Sequence, residues 1–169
     1  VMPLTAEPEA SNQISEPEPE QRAVSFCFSY ASKGNHRVQE AKVGLESRGH
    51  SVFYGLDVSA IAPEDWRLQW MVECDRADYC VNFLSSAYLR SQACADEWNH
   101  ATQSKPGRVL NVMVGGAEAR NALMAVPLDQ VAKKGGAAIK LHFDTSGQAV
   151  SVYDQDDITA KILASLHLQ

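Results

Sequence analysis

Glu97 is the residue whose type and position most invite chemistry. In "SQACADEWNHATQS" (91–104) it follows Cys94 by three residues and precedes Ala101 by four. On a 3.6-residue period these intervals place its carboxylate on the same helix face as two small apolar residues, the face that should meet the rest of the fold. Ionised carboxylates are rarely buried without a purpose. The bland alternative is a partly exposed glutamate near a helix N-terminus, where the helix dipole favours negative charge.

Other constellations are weaker. The turn "SYASKGNH" (29–36) could offer backbone N–H groups to a phosphate, or could be an ordinary solvated turn. Cys94 and His100 lie six residues apart on one helix, too far around and along for a hydrogen-bonded thiolate pair, so Cys94 belongs to the core. His36, His50, His100, His142 and His167 are scattered with no two at ligand spacing, so no metal site is expected. The P-loop and dinucleotide-binding glycine patterns are absent, and "VGGAEAR" (114–120) is only a glycine pair after a strand. A phospho-accepting receiver would need acidic residues after its first strand and an Asp at the end of its third, where this chain has Ser29-Tyr30 and Ser85.

The elements that must position Glu97 alternate regularly. "AVSFCFS" (23–29) predicts a strand, and Val38, Ala41 and Leu45 predict a helix that ends at Arg48-Gly49. "SVFY" predicts a second strand, and Trp66, Trp70, Cys74 and Ala77 a second helix. "YCVNFL" (79–84) is a third strand, followed by a helix over about 92–104 that closes at Pro106-Gly107. "RVLNVMV" (108–114) and "AAIKLHF" (137–143) are the expected fourth and fifth strands. A last helix opens near Asp154, a suitable N-cap, and carries Ile158, Ile162 and Leu166. This alternation predicts an α/β flavodoxin-like three-layer sandwich: a five-stranded parallel sheet in the order 2-1-3-4-5 with helices on both faces. Ligands of such sheets bind beyond the carboxyl ends of the strands, which directs attention to the residues after strands 1, 2 and 3.

Composition narrows the class. The 169 residues are long enough for one domain with a real core. The net charge of -6 is concentrated in residues 1–22, which hold five Glu, one Arg and four of the seven prolines. That segment has almost no large apolar residues, so we expect a disordered acidic leader, either a linker to a neighbouring domain or a plain tail, ahead of a folded domain at 23–169. The folded part carries sixteen acidic against fourteen basic residues, and this near-neutrality argues against nucleic acid as a partner. Cys27, Cys74, Cys80 and Cys94 form no C-x-x-C pair and fit reduced core thiols. With no apolar run of membrane length and no signal-peptide pattern, a cytoplasmic location without membrane contact is expected.

The stretch "FLSSAYLRSQACADEWNHA" resembles the third strand and following helix of TIR (Toll/interleukin-1 receptor) domains, whose Ser, Tyr, Ser, Cys and Glu correspond here to Ser85, Tyr88, Ser91, Cys94 and Glu97. "AVSFCFSY" resembles the family's first strand with its Ser29-Tyr30 ending. "LESRGHSVFYGLDV" resembles the passage into the family's BB loop, with Asp57 at the acidic position. The likeness is strong to about residue 101 and weaker beyond. Two positions depart from the pattern: Ala93 stands where Trp usually precedes the motif cysteine, and the loop "DVSAIAPEDW" lacks the usual Gly.

The resemblance implies one of two functions. Some TIR domains cleave NAD+ to nicotinamide and ADP-ribose or a cyclic isomer and depend on the motif glutamate; others act as non-catalytic adaptors that assemble with further TIR domains. Both serve innate-immune or cell-death signalling. In the first case Glu97 is the catalytic residue, Ser29, Tyr30, Asp57, Trp66 and Ser85 line the substrate cleft, and NAD+ is a substrate with no separate cofactor. Self-association with other TIR domains is expected in either case.

Overall fold

The computed structural model describes residues 3, 22–31, 36–55, 63–145 and 148–168. Asp57, most of the BB loop, most of the turn after the first strand and nearly all of the acidic leader lie outside the described residues.

Five parallel strands, β1 (Ser25–Tyr30), β2 (Ser51–Phe53), β3 (Tyr79–Leu84), β4 (Val109–Val114) and β5 (Val150–Val152), form a single sheet in the order β2-β1-β3-β4-β5. This is the expected doubly wound sheet. Side chains alternate across a strand, so β1 sends Phe26 and Phe28 to one face and Cys27 and Ser29 to the other. The first face packs Phe26, Phe28, Val81, Phe83, Val112 and Val152 beneath α1 (His36–Ser47) and α7 (Ile158–Ser165). The helical stripe read from Val38, Ala41 and Leu45 is fully buried there, and Gly49 terminates the helix at φ 88°.

The opposite face is covered by α2 (Pro63–Arg76), α3 (Ser86–Arg90), α4 (Gln92–Ser104) and α6 (Gly136–Thr145), with α5 (Gly116–Met124) behind β4. All four cysteines are free and buried, Cys27 and Cys80 of the sheet clustered with Cys74 of α2, and Cys94 of α4 in the cluster that holds α3. Burial raises the thiol pKa of Cys94 to about 12, which keeps it a protonated core group. Among the described residues no helix is long and apolar enough to cross a membrane.

Two expectations fail near the C-terminus. "AAIKLHF", expected as the fifth strand, is helical: Gly136, Ile139 and Phe143 are buried at helical spacing while Leu141, which a strand would place with Ile139 and Phe143, is 59% exposed. A short apolar run fits both periods, and here the 3.6 period wins because only one of its faces meets the core. The fifth strand is instead the three-residue segment Val150–Val152. The last helix is capped by Asp157, whose Oδ1 accepts the Ala160 N–H at 3.1 Å, rather than by Asp154, which lies in the preceding turn. The glycine pair after β4 starts α5, and α3 is a further helix that the periodicity did not suggest.

Helices α1 and α7 approach closely over Gly44. A β-carbon there would stand 2.9 Å from Thr159 Cβ and 3.1 Å from its Cγ2, contacts that rotation of the threonine cannot relieve at Cβ. Gly44→Ala should therefore lower stability by about 1–3 kcal/mol, the overpacking cost exceeding the helix-propensity gain of about 1 kcal/mol. The denaturation midpoint measures it, and an unchanged or higher midpoint would show that the two helices can part at little cost.

Candidate active site

Ser85, the residue after β3, accepts the Tyr88 N–H on its Oγ at 3.1 Å and so caps the short helix α3. At the other end of α3, Ser91 repeats the device for α4, accepting the Cys94 N–H at 3.2 Å. These two caps set the direction of both helices over the sheet. The first helix buries Tyr88 completely, and the second turns Glu97 toward the end of β1.

The result is a chain of three side chains. Ser29 Oγ lies 2.8 Å from the Tyr88 hydroxyl and donates to Glu97 Oε2 at 2.6 Å. Ser29 has one proton, and the carboxylate takes it, so the phenol of Tyr88 donates to Ser29. Both hydroxyl residues are fully buried and Glu97 is half-buried.

Burial raises the pKa of Glu97 from 4.5 to about 7, with the Ser29 hydrogen bond opposing the rise. Arg67 of α2 also favours the ionised form, but its guanidinium is paired with Asp96, the neighbour of Glu97, and that second carboxylate works the other way. The site thus holds a carboxylate that changes charge near neutrality. Perturbed titration at the end of a parallel strand marks a candidate functional group. Among the described residues no group of three His, Cys, Asp or Glu side chains is placed to hold a metal ion.

The anticipated residues divide. Glu97 and Ser29 are brought into direct contact. Ser85 reaches the site through Tyr88, as its helix cap. Tyr30 ends the same strand as Ser29 but presents its ring to the opposite face, stacked on Tyr54 with centroids 4.8 Å apart and planes 10° from parallel. Trp66 sits in the first turns of α2, 39% exposed and so available to a ligand or partner, next to Arg67. Asp57 lies outside the described residues.

Tyr88 is the member that sequence reasoning noted without assigning a task. A signal existed in Ser85-x-x-Tyr88, the spacing at which a capping serine fixes a residue one turn on. Trp70 is a second positioning group: its indole N–H donates to the Phe28 carbonyl at 2.9 Å, which ties α2 to the strand that carries Ser29.

No curated protein matches this chain. The family model described as the TIR domain matches residues 26–148, a span that includes β1 from its second residue on with Ser29, the caps at Ser85 and Ser91, and Glu97. With the doubly wound sheet, its strand order and a family match over most of its length, the chain belongs to the TIR-domain family.

Proposed function

We infer that this TIR signalling module cleaves NAD+ at the nicotinamide–ribose bond, with Glu97 as the catalytic carboxylate. The observation that carries this reading is the Tyr88–Ser29–Glu97 chain, which holds a half-buried carboxylate at the C-terminal edge of the sheet with its pKa moved to about 7. Nicotinamide departs from a cationic pyridinium as a neutral molecule, so no general acid is needed. What the reaction requires is stabilisation of an oxocarbenium-like ribose. Ser29 engages Oε2, leaving Oε1 as the oxygen that would face the ribose hydroxyls and the developing charge. Exposed Trp66 precedes Arg67, whose guanidinium pairs with Asp96 beside Glu97, and offers an aromatic surface. Self-association with other TIR domains completes the active form.

A second reading, a non-catalytic adaptor that signals through TIR–TIR contacts, is favoured by exposed Ala93 at the position where catalytic relatives usually carry Trp.

Incubation of the purified chain with NAD+, with nicotinamide and ADP-ribose products resolved, separates the two. If the ionised form of Glu97 is the working one, the rate should climb with pH and level off above about 7, because the group is protonated and inactive below that value. Specific activity should also rise with protein concentration. Absence of nicotinamide release across pH 5–9 in concentrated protein would sink the enzymatic reading and leave the adaptor.

A further inference from the structure

Tyr88 is fastened through each of its polar atoms. Its N–H donates to the Ser85 hydroxyl at 3.1 Å, its carbonyl accepts the Ser91 N–H at 3.2 Å, and its hydroxyl lies 2.8 Å from Ser29 Oγ. Ser91 is also the N-cap of α4, so the backbone of Tyr88 is tied to the start of the helix that carries Glu97. The neighbouring Leu89 carbonyl accepts the Ala132 N–H at 2.9 Å, which pins α3 to the segment ahead of α6. The side chain itself is fully buried. A phenol held in this way has no freedom to turn to another partner.

That rigidity gives the hydrogen-bond chain a direction. The phenol has one proton and, among the described residues, one hydrogen-bond partner, the Ser29 hydroxyl. Burial holds its pKa well above the ordinary value of 10, so it stays a donor through the neutral range. Were Ser29 to turn its own proton toward Tyr88, the phenol proton would be buried without an acceptor, an arrangement that folded proteins avoid. The chain therefore runs from Tyr88 to Ser29 to Glu97 Oε2. With Oε2 engaged by the Ser29 proton, a proton taken up by Glu97 must sit on Oε1.

We propose that Tyr88 is a positioning residue for the Glu97 site: as a fixed donor it compels the Ser29 hydroxyl to aim its proton at Oε2, which holds the carboxylate in one orientation and reserves Oε1 for substrate. That Oε1 meets the ribose of NAD+ rests on the catalytic reading of Glu97; the direction of the chain does not. A hydroxyl that accepts a hydrogen bond becomes a better donor, so Tyr88 favours the ionised carboxylate from two bonds away. The other titratable side chains whose charge bears on Glu97 are Arg67 and Cys74 of α2, Cys27 of β1, Cys80 of β3, and Cys94 and Asp96 of α4. Tyr88→Phe keeps all of them, and the aromatic ring, while removing one oxygen.

The whole chain, labelled with ¹³C at glutamate side-chain carboxyls, allows Glu97 to be titrated directly, its resonance being the one missing from Glu97→Gln. In Tyr88→Phe the Glu97 pKa should rise by about one unit, the order of one hydrogen bond. The rising limb of nicotinamide release against pH should move with it. At pH 7 kcat should then fall about fivefold or more, recovering in part by pH 9, with KM changed by less than about twofold. Leu89→Val, a buried change on the same helix, should lower Tm and move neither curve. Replacing tyrosine by 3-fluorotyrosine makes the phenol a stronger donor and should shift the Glu97 pKa downward, a measurement that serves even if Tyr88→Phe does not fold. An unmoved Glu97 titration in Tyr88→Phe, or in the fluorinated chain should the variant fail to fold, would overturn the proposal. If wild type and variant both release no nicotinamide, the NAD+ reading falls, and the carboxyl titration still decides the role of Tyr88.

Discussion

Glu97→Gln is expected to abolish NAD+ cleavage while making the domain more stable at alkaline pH. If Glu97 faces an oxocarbenium-like transition state, as proposed, loss of its charge should cost about 2.7 kcal/mol or more, roughly a hundredfold in rate. The stability effect follows from the titration. The folded-state pKa of about 7 lies above the ordinary value of 4.5, so the native state holds its proton more tightly than the unfolded chain between these values. Stability must then decline as pH rises through that window, and above about 7 the native state bears the whole cost of an ionised, half-enclosed carboxylate. Removing the charge should return about 1–3 kcal/mol at pH 8, after allowance for solvent screening of a partly exposed group. The gain should shrink toward zero as pH falls to 4 and below, where glutamic acid is mostly neutral in both states. Paired denaturation curves at the two pH values and nicotinamide release at pH 8 measure both effects. A helix-terminal surface charge would behave differently, leaving turnover untouched and losing about 0.3–1 kcal/mol on substitution.

Phe143→Ala should produce the largest loss of stability, about 3–5 kcal/mol, a large share of the 5–15 kcal/mol typical of a whole domain. Phe143 is fully buried and meets the Trp98 ring edge-on with centroids 5.5 Å apart. Truncation leaves a cavity lined by α4 and α6 that the surrounding side chains can refill only in part. Trp98 fluorescence should shift as water reaches its ring. Leu141→Ala is the matched control and should cost no more than about 0.5 kcal/mol, because that side chain is 59% exposed. Equal losses at 141 and 143 would be the signature of a strand and would contradict the helix.

That pair also shows where sequence reading reaches its limit. Val38, Ala41 and Leu45 repeat at helical intervals among mostly polar neighbours, and a single buried stripe satisfies them. Residues 137–143 are apolar at positions that suit either period, and the choice is made by what the segment packs against. The true fifth strand has only three residues, too few to display an alternation, and α3 has five, too few to display a stripe.

The site was legible in part for the same reason. The intervals from Cys94 to Glu97 and from Glu97 to Ala101 orient the carboxylate within its own helix, so its inward face could be anticipated. Its hydrogen bond to Ser29 spans 68 residues and depends on how α4 lies across β1, which no local pattern encodes. Tyr30 illustrates the converse. Adjacent to Ser29 in sequence, it is carried to the other face of the sheet by the two-residue period of the strand and stacks on Tyr54.

The Ser29 hydroxyl lies between two groups that need it for opposite purposes. Tyr88 requires an acceptor and ionised Glu97 requires a donor, and one oxygen atom serves both. Seen as a constraint on sequence variation, position 29 admits very few letters. Alanine would take the acceptor from the buried phenol and the donor from the half-buried carboxylate in a single step, through the loss of one atom. Asparagine could both donate and accept, but only through separate atoms on a longer arm, in a space with no exposed surface. Threonine alone keeps the hydroxyl, and it must find room for a methyl group between β1 and α4. Drift at this position would therefore have to follow, and not precede, compensating change at Tyr88 and Glu97 together.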